Sequence, residues 1–408
     1  MKILTHQLAN GIRIIHHPSS SPVAHCGIMV NVGSRDERTD EQGISHFIEH
    51  ALFKGTKKRK PFHILSRLED VGGELNAYTT KEETWYYASF MKQYYYRSIE
   101  LLGDIIFQST FPKKELKKEK DVIMDEINSY LDSPSDAIFD EYEELVFKGH
   151  SLGRNILGNK KTLSSFNRKS VDEFMTSLYL TDQMTLSSVG DIDFKKLISY
   201  AEKHLGKITR RNEHSIRLPF NSYETFNLLV KKDLLQTHCI LGNRAYSVHD
   251  PKAQTLILLS NLLGGPGMNS RLNLGIREKY GFTYAIESNY TTYADTGVWG
   301  IYFATEPQSV KKTIKLIHKE LKKLRDKPMG PLQLKKAKQQ LIGQLAIAQE
   351  NNCNLMQSIA KSYQAFGKVE SIQESNERIM AITSHEIQEV AKEIFNESCL
   401  STLIYEPK

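Results

Sequence analysis

Cysteine is scarce in this sequence. Four of the 408 residues are cysteines, namely Cys26, Cys239, Cys353 and Cys399, and no two of them form a C-x-x-C pair. Such wide spacing is not that of a disulfide-stapled secreted domain, nor of a zinc site built from cysteine. We therefore expect reduced thiols in a cytoplasmic protein, and any zinc ligands should come from other residue types.

Long hydrophobic runs are also missing. The first residues, "MKILTHQLANGIRIIHH", contain no apolar stretch as long as the central region of a signal peptide. Nowhere does the chain approach the roughly 20 consecutive apolar residues that a membrane-spanning helix needs. These absences predict a cytoplasmic protein with no membrane partner.

No excess of one charge marks a polyanion-binding surface. The chain has 54 Lys and Arg against 48 Asp and Glu, a formal charge of +6. Basic residues are interleaved with acids, as in "KKELKKEKDVIMDE", which indicates solvated helix faces rather than a nucleic-acid-binding stripe. The remaining composition is that of a globular protein long enough for two or three domains.

The second half of the chain repeats the pattern of the first. "THCILGNRAYS" (237–247) resembles "AHCGIMVNVGS" (24–34), and "TLILLSNLLGG" (255–265) takes the place of "SHFIEHALFKG" (45–55). We therefore predict an α+β fold of two tandem homologous units, 1–210 and 227–408, joined by a polar linker, 211–226. Each unit should be a mostly antiparallel sheet with helices packed on one face. Within the first unit we predict a hairpin at Asn10-Gly11, two strands within 74–90 and a helix that begins at Pro112.

The stretch "GISHFIEHALFKGT" (43–56) carries the clearest chemical signal. On a helix, His46, Glu49 and His50 share one face because side chains three and four positions apart are neighbours. Two imidazoles one turn apart suit zinc, and a glutamate beside them suits a general base, as in the inverted H-x-x-E-H motif. The simpler alternative is an amphipathic helix with a solvated His and Glu face.

The repeat offers a test of that alternative. When Gly55 is placed on Gly265, the three motif residues fall on Leu256, Leu259 and Ser260. The repeated unit therefore needs neither histidine nor glutamate at these positions, which favours a chemical role for them in the first half.

A third metal ligand has to come from elsewhere in the chain. The segment "EKDVIMDEINSYLDSP" (119–134) places Glu119 and Glu126 seven positions apart on one helix face, with Asp125 beside them. A carboxylate would complete the His₂Glu set of catalytic zinc sites, and a second one could orient a ligand histidine. Spacing alone leaves Glu119, Asp125 and Glu126 as alternatives.

The chain is similar to the M16 metallopeptidases, the family of pitrilysin, insulinase and mitochondrial processing peptidase, and looks most like its short bacterial members. The similarity is carried by the two segments above, by "GGELNAYTTKEETWYY" (72–87) and by "SRLNLGIREKYGFTYAIES" (270–288). It implies that Glu126 is the third zinc ligand and that Glu119 supports a ligand histidine. It further implies that Arg277 and Tyr284 bind substrate and stabilise the reacting carbonyl.

The resemblance also implies how substrate is handled. Asn76 and Ala77 would lie on an edge strand to which the peptide backbone adds, and a closing chamber would select short or unfolded peptides. The expected assembly is a homodimer, although some relatives pair an active subunit with a zinc-less partner. Two other interpretations are a degenerate subunit used as a scaffold and a zinc-stabilised binding module without turnover. The complete motif and the general base Glu49 argue against both.

Overall fold

The structure of the protein, a computed structural model, describes residues 2–210 and 217–408. These residues pack into two compact units, and each unit takes three segments of the chain. The first unit contains residues up to 128, most of 154–217 and Ile347–Ser371; the second contains Ser129–Gly153, Leu218–Ala346 and Ile372–Lys408. These units differ from the predicted contiguous boundaries because one helical segment of each half packs with the other half's sheet.

The structure describes only part of the predicted linker. Within 211–226, residues 211–216 lie outside the described part of the chain. Residues 217–226 form neither helix nor strand, which agrees with their aperiodic sequence.

The first unit is built on a six-stranded sheet in the order β1-β2-β6-β3-β5-β4. Its strands are β1 (Leu4–Gln7), β2 (Arg13–Pro18), β3 (Val23–Val30), β4 (Glu74–Thr79), β5 (Thr84–Met91) and β6 (Met184–Gly190). All neighbours are antiparallel except β2 and β6, which are parallel. The turn between β1 and β2 lies at the predicted Asn10-Gly11, where Gly11 has a φ of 100° that favours glycine.

The second unit repeats this sheet without the first strand. Its strands are β7 (Asn227–Lys232), β8 (Thr237–Ala245), β9 (Thr283–Thr292), β10 (Gly297–Thr305) and β11 (Ser401–Pro407), in the order β7-β11-β8-β10-β9. Again one pair, β7 with β11, is parallel and the other pairs are antiparallel. The predicted duplication therefore extends to strand order and direction.

Helices fill the intervals between the strands. In chain order they are α1 (Ile44–Ala51), α2 (Pro61–Glu69), α3 (Tyr95–Gln108), α4 (Lys113–Leu131), α5 (Pro134–Val146), α6 (Lys160–Ser165), α7 (Arg168–Leu178), α8 (Phe194–His204), α9 (Ala253–Gly264), α10 (Val310–Asp326), α11 (Pro331–Gln349), α12 (Asn352–Phe366), α13 (Ile372–Ala381) and α14 (Ser384–Ile394). A π-helical turn, Asn273–Glu278, precedes β9. No helix in the described residues is long and apolar enough to cross a membrane.

Most helices of the first unit pack on one sheet face, as predicted, but α12 covers the opposite face. Successive residues of a strand belong to different cores. Ile14 and Ile28 belong to the main core, whereas Ile15 and Met29 pack against α12. Met356 of α12 is fully buried there. Both faces of these strands are apolar, so the second face also needs a cover, which α12 provides.

In the second unit α5 has the corresponding position. Ile138 and Tyr142 of α5 pack with Ile240 and Tyr302 of the sheet, while the alternate strand residues face the main core of that unit. Each sheet is thus covered on its second face by a helix that the other half of the sequence encodes.

Candidate metal centre

Helix α1 carries the predicted motif and is held firmly at its first turn. Ile44, Phe47 and Ile48 are fully buried in the main core of the first unit. The helix begins after Gly43, whose φ is 92°, and a Cβ there would lie 2.7 Å from the Cα of Gly158. Glycine is required here, because the backbone is in the left-handed region and the chain at Gly158 leaves no room for a side chain.

A buried carboxylate satisfies the free N–H groups at the start of α1. Glu37 accepts hydrogen bonds from the backbone N–H groups of Gly43 and Ser45 at 2.8 and 2.9 Å. Burial raises the pKa of Glu37 to about 8, although these two hydrogen bonds act in the opposite direction. The orientation of α1 is therefore fixed at both its apolar face and its N-terminus.

Three of the predicted ligands converge between α1 and α4. His46, His50 and Glu126 each offer a ligand atom, and these atoms all lie within 4.8 Å of one another. Glu126 Oε2 is 3.7 Å from His46 Nε2 and 3.6 Å from His50 Nε2. Around a tetrahedral ion with bonds of about 2.0–2.1 Å, ligand atoms stand roughly 3.3 Å apart. Two imidazoles and one carboxylate at this spacing fit a zinc ion.

The state of His46 also suits metal binding. Burial, with the neighbouring His50, lowers the pKa of His46 to about 3. The imidazole is then neutral at pH 7, so its contact with Glu126 is not an ion pair but two ligand atoms side by side. A neutral imidazole has the lone pair that a metal ion needs.

Glu119 supports the second histidine. Its Oε2 lies 3.2 Å from Nδ1 of His50, and its Oε1 lies 2.8 Å from Nζ of Lys54. Burial opposes ionisation of Glu119, but the hydrogen bonds from His50 and Lys54 outweigh it and lower the pKa of the carboxyl. An ionised Glu119 accepts the Nδ1–H of His50, which leaves Nε2 unprotonated on the side of Glu126.

Glu49 lies beside the ligands and is not one of them. Its Oε2 accepts a hydrogen bond of 2.7 Å from the hydroxyl of Thr79, the last residue of β4. Burial raises the pKa of Glu49, and the bond from Thr79 together with the nearby His50 partly offsets this effect. A carboxylate with a raised pKa is a better proton acceptor near neutral pH than an exposed one.

The strand next to this cluster is a sheet edge. Within the described chain, β4 pairs with β5 alone, so its other edge has backbone groups without a strand partner. The predicted substrate-contacting residues Asn76 and Ala77 lie in the middle of β4, where Asn76 is exposed and Ala77 packs against the core. Asp125, left open as a ligand from spacing, is exposed and does not belong to the metal-ligand cluster.

Arg277 and Tyr284 lie together in the second unit. The guanidinium carbon of Arg277 is 5.2 Å from the centre of the Tyr284 ring, and Tyr284 is 84% exposed. Arg277 belongs to the π-helical turn, and both side chains line a cleft of about 380 Å³ with Gly264, Gly265 and Asn273. The exposed Tyr284 side chain beside the Arg277 guanidinium is therefore accessible to a ligand.

In the second unit, buried core residues occupy the positions that correspond to the metal motif. Leu256 and Leu259 of α9 are fully buried in the core of that unit. Ser260, at the position of His50, is buried and shares a 2.8 Å hydrogen bond with the hydroxyl of Ser288. The duplicated helix therefore folds without any of the three chemical residues.

Sequence reasoning missed two contacts of this site. Lys54 belongs to the motif segment and Thr79 to the edge-strand segment, but no role was predicted for either side chain. Each contact joins different elements, Lys54 after α1 to Glu119 on α4, and Thr79 on β4 to Glu49 on α1. Spacing along one element cannot reveal such pairs.

Comparison with known proteins places the chain in a family. Residues 13–160 match the family model "Insulinase (Peptidase family M16)", and residues 165–341 match "Peptidase M16 inactive domain". The chain is 33% identical over 397 residues to the uncharacterized zinc protease YmxG of Bacillus subtilis (strain 168), across 97% of this chain and 96% of that protein. The chain belongs to peptidase family M16. The resemblance predicted from its motifs is confirmed.

Further M16 relatives extend the comparison. An uncharacterized zinc protease of Rickettsia felis is 36% identical over 98% of this chain and 96% of its own length. The beta subunit of the mitochondrial-processing peptidase of Saccharomyces cerevisiae is 30% identical over 94% of this chain and 86% of its own. Among solved structures, a protease from Helicobacter pylori has a TM-score of 0.92 at 21% identity, with full coverage of both chains. That structure supports the fold alone.

Proposed function

We propose that this M16 peptidase is a zinc-dependent endopeptidase in which Glu49 is the general base. One observation carries the proposal: a partly buried carboxylate stands next to two histidines and a glutamate whose ligand atoms converge. Relatives with nearly full coverage are named zinc proteases. Zinc is therefore the metal that His46, His50 and Glu126 would hold.

The proposed chemistry divides between the metal and the side chains. When bound, zinc supplies Lewis-acid polarisation of the scissile carbonyl and makes water nucleophilic near neutral pH. Glu49 accepts the proton of the attacking water and returns it to the leaving amine. Glu119 accepts the Nδ1–H of His50 and so keeps Nε2 available as a ligand atom.

Substrate would bind chiefly through its backbone. A peptide strand adds to the free edge of β4, with Asn76 and Ala77 closest to the scissile bond, so that main-chain groups rather than side chains are recognised. Arg277 and Tyr284 would supply donors to the substrate carbonyl as negative charge develops. The closing chamber, the homodimer and the cytoplasmic location stay predictions.

The test uses Glu49→Gln, which keeps the shape of the side chain but removes its ability to take a proton. Metal analysis of the purified variant should still give about one zinc per chain. Cleavage of a quenched fluorogenic peptide should fall by at least 10²-fold, because general-base catalysis contributes about 10²–10⁴-fold.

Two results would count against the proposal. Undiminished cleavage by Glu49→Gln would remove the base assignment. A wild-type chain that binds zinc and cleaves no peptide from a diverse library would favour a binding or scaffold role.

A further inference from the structure

The general base and the edge strand are joined by one side chain. Thr79 ends β4, and its hydroxyl donates the 2.7 Å hydrogen bond to Oε2 of Glu49. The strand that offers the free edge thus also contacts the carboxylate beside the metal ligands. A bond at this distance to a charged acceptor is among the stronger side-chain hydrogen bonds.

The backbone of Thr79 is fixed from within its own hairpin. Thr79 pairs with Thr84 of β5, and the backbone N–H of the next residue, Thr80, donates a 2.8 Å hydrogen bond to the carbonyl of Glu83. The Thr80 hydroxyl also accepts the N–H of Glu83 at 3.1 Å. The hairpin turn that follows Thr79 therefore has little freedom.

A neighbouring loop holds the same turn from outside. The N–H of Ser34 donates to the carbonyl of Thr80 at 3.1 Å, and that of Arg35 donates to the carbonyl of Lys81 at 2.8 Å. Lys81 is itself buried and donates to the carbonyl of Arg154 at 2.6 Å. The Thr79 hydroxyl is consequently presented to Glu49 from a rigid support.

We propose that Thr79 is the positioning residue of Glu49. Its hydroxyl restricts the rotation of the carboxylate and keeps it in the orientation that proton transfer requires. Because Thr79 lies on the peptide-binding strand, the same bond keeps the base in register with the docked substrate. This inference rests on the proposed function.

The main experiment compares Thr79→Val with Thr79→Ser in the full-length zinc-loaded protein. Valine matches threonine in shape but has no hydroxyl, whereas serine keeps the hydroxyl. With a quenched fluorogenic decapeptide as the probe, we expect Thr79→Val to lower kcat by about 10–100-fold, since misplacement by about 1 Å has such effects. KM and zinc content should change less than about twofold, and Thr79→Ser should keep kcat within about threefold of wild type.

The repeat in the second unit provides a matched control. The tripeptide Tyr78-Thr79-Thr80 recurs as Tyr290-Thr291-Thr292 at the end of β9, where Thr291 is exposed. On the corresponding helix a leucine replaces Glu49. The same substitution, Thr291→Val, should therefore leave kcat unchanged.

A double variant and a structural measurement separate positioning from general damage. If Thr79 acts through Glu49, the Glu49→Gln, Thr79→Val protein should turn over no more slowly than Glu49→Gln alone. A crystal structure of Thr79→Val should show the Glu49 carboxylate moved from its place while the ligand residues stay.

Three results would overturn the inference. They are an unchanged kcat in Thr79→Val, a loss in Thr79→Ser as large as in Thr79→Val, or an effect confined to KM. Failure of the proposed function has a different signature, because then Glu49→Gln would be as active as wild type or the wild-type chain would cleave no peptide.

Discussion

At the scale of single residues, adjacent carboxylates on α4 separate into different roles. Glu126 faces the two histidines, whereas the neighbouring Asp125 is about 100° around the helix and exposed. Glu119, two helical turns before Glu126 on the same face, contacts the other ring nitrogen of His50, Nδ1. Helix geometry thus places three nearby acids differently: one beside both histidines, one on Nδ1 of His50 and one in solvent.

This separation predicts different metal affinities for two conservative variants. Glu126→Gln removes the charged ligand and should lose most of its zinc on dialysis against a weak chelator. Asp125→Asn should retain about one zinc per chain, because its side chain is directed to solvent. Metal loss from Asp125→Asn with retention in Glu126→Gln would reverse the ligand assignment.

His16 predicts an acid sensitivity that does not involve the metal. The ring is fully buried, and burial lowers its pKa to about 4, below the ordinary 6.5. Between these values the unfolded chain binds more protons than the folded chain, so stability rises with pH from about 4 to 6.5 and is lost on acidification. The shift corresponds to about 3 kcal/mol.

Thermal unfolding midpoints measured from pH 4.5 to 7 provide the test. His16→Gln should make the pH dependence shallower over this window, whereas His6→Gln, a substitution at an exposed position, should leave it as in wild type. Equal slopes for His16→Gln and wild type would show that His16 does not carry the effect.

At the scale of elements, α12 stabilises a sheet that lies far from it in sequence. Met356 is fully buried against Trp85 and Met29 of the first unit, and its backbone carbonyl accepts the hydroxyl of Ser187 at 2.6 Å. The helix therefore forms part of the core of that unit.

Met356→Ala should lower the free energy of unfolding by about 2–5 kcal/mol, the usual cost of truncating a buried methionine. Urea titration followed by Trp85 fluorescence would report the change in the first unit, although the second tryptophan, Trp299, contributes to the signal. Ile347→Ala, at a position 75% exposed, is the control and should cost less than about 0.5 kcal/mol. Equal effects of the two variants would contradict the packing of α12.

Elements were easier to predict from the sequence than their partners. The turn at Asn10-Gly11, the helix after Pro112 and the strand pair within 74–90 were predicted, because turn residues and periodicity are local signals. The exchange of α5 and α12 was missed, because an amphipathic helix does not specify which sheet it covers. The contact of Thr79 with Glu49 was missed for the same reason, since it joins two elements.

At the scale of the whole molecule, the proposed activity depends on residues of both packing units. Glu49 belongs to the first, whereas Arg277 and Tyr284 belong to the second. The exposed Tyr284 hydroxyl is a donor whose removal changes little else.

Tyr284→Phe should keep zinc content and thermal stability and lower kcat/KM by roughly 10²-fold, as loss of a transition-state donor does. The exposed Tyr280, stacked near Phe282, allows a control substitution, Tyr280→Phe, that should have no such effect. Full activity of Tyr284→Phe would limit the catalytic residues to the first unit.

The exchanged helices also set the order in which the protein can mature on the ribosome. The strands of the first sheet are complete once β6 has been synthesised, but the helix that covers its second face follows more than a hundred residues later. At about 5–20 residues per second this interval lasts roughly 10–30 s. During that time α12 is not yet available to cover Ile15, Met29 and Trp85, so we expect the nascent chain to expose an apolar sheet face. We therefore expect folding of the metal-binding half to be complete only when nearly the whole message has been translated, and depletion of nascent-chain chaperones should reduce the yield of this protein.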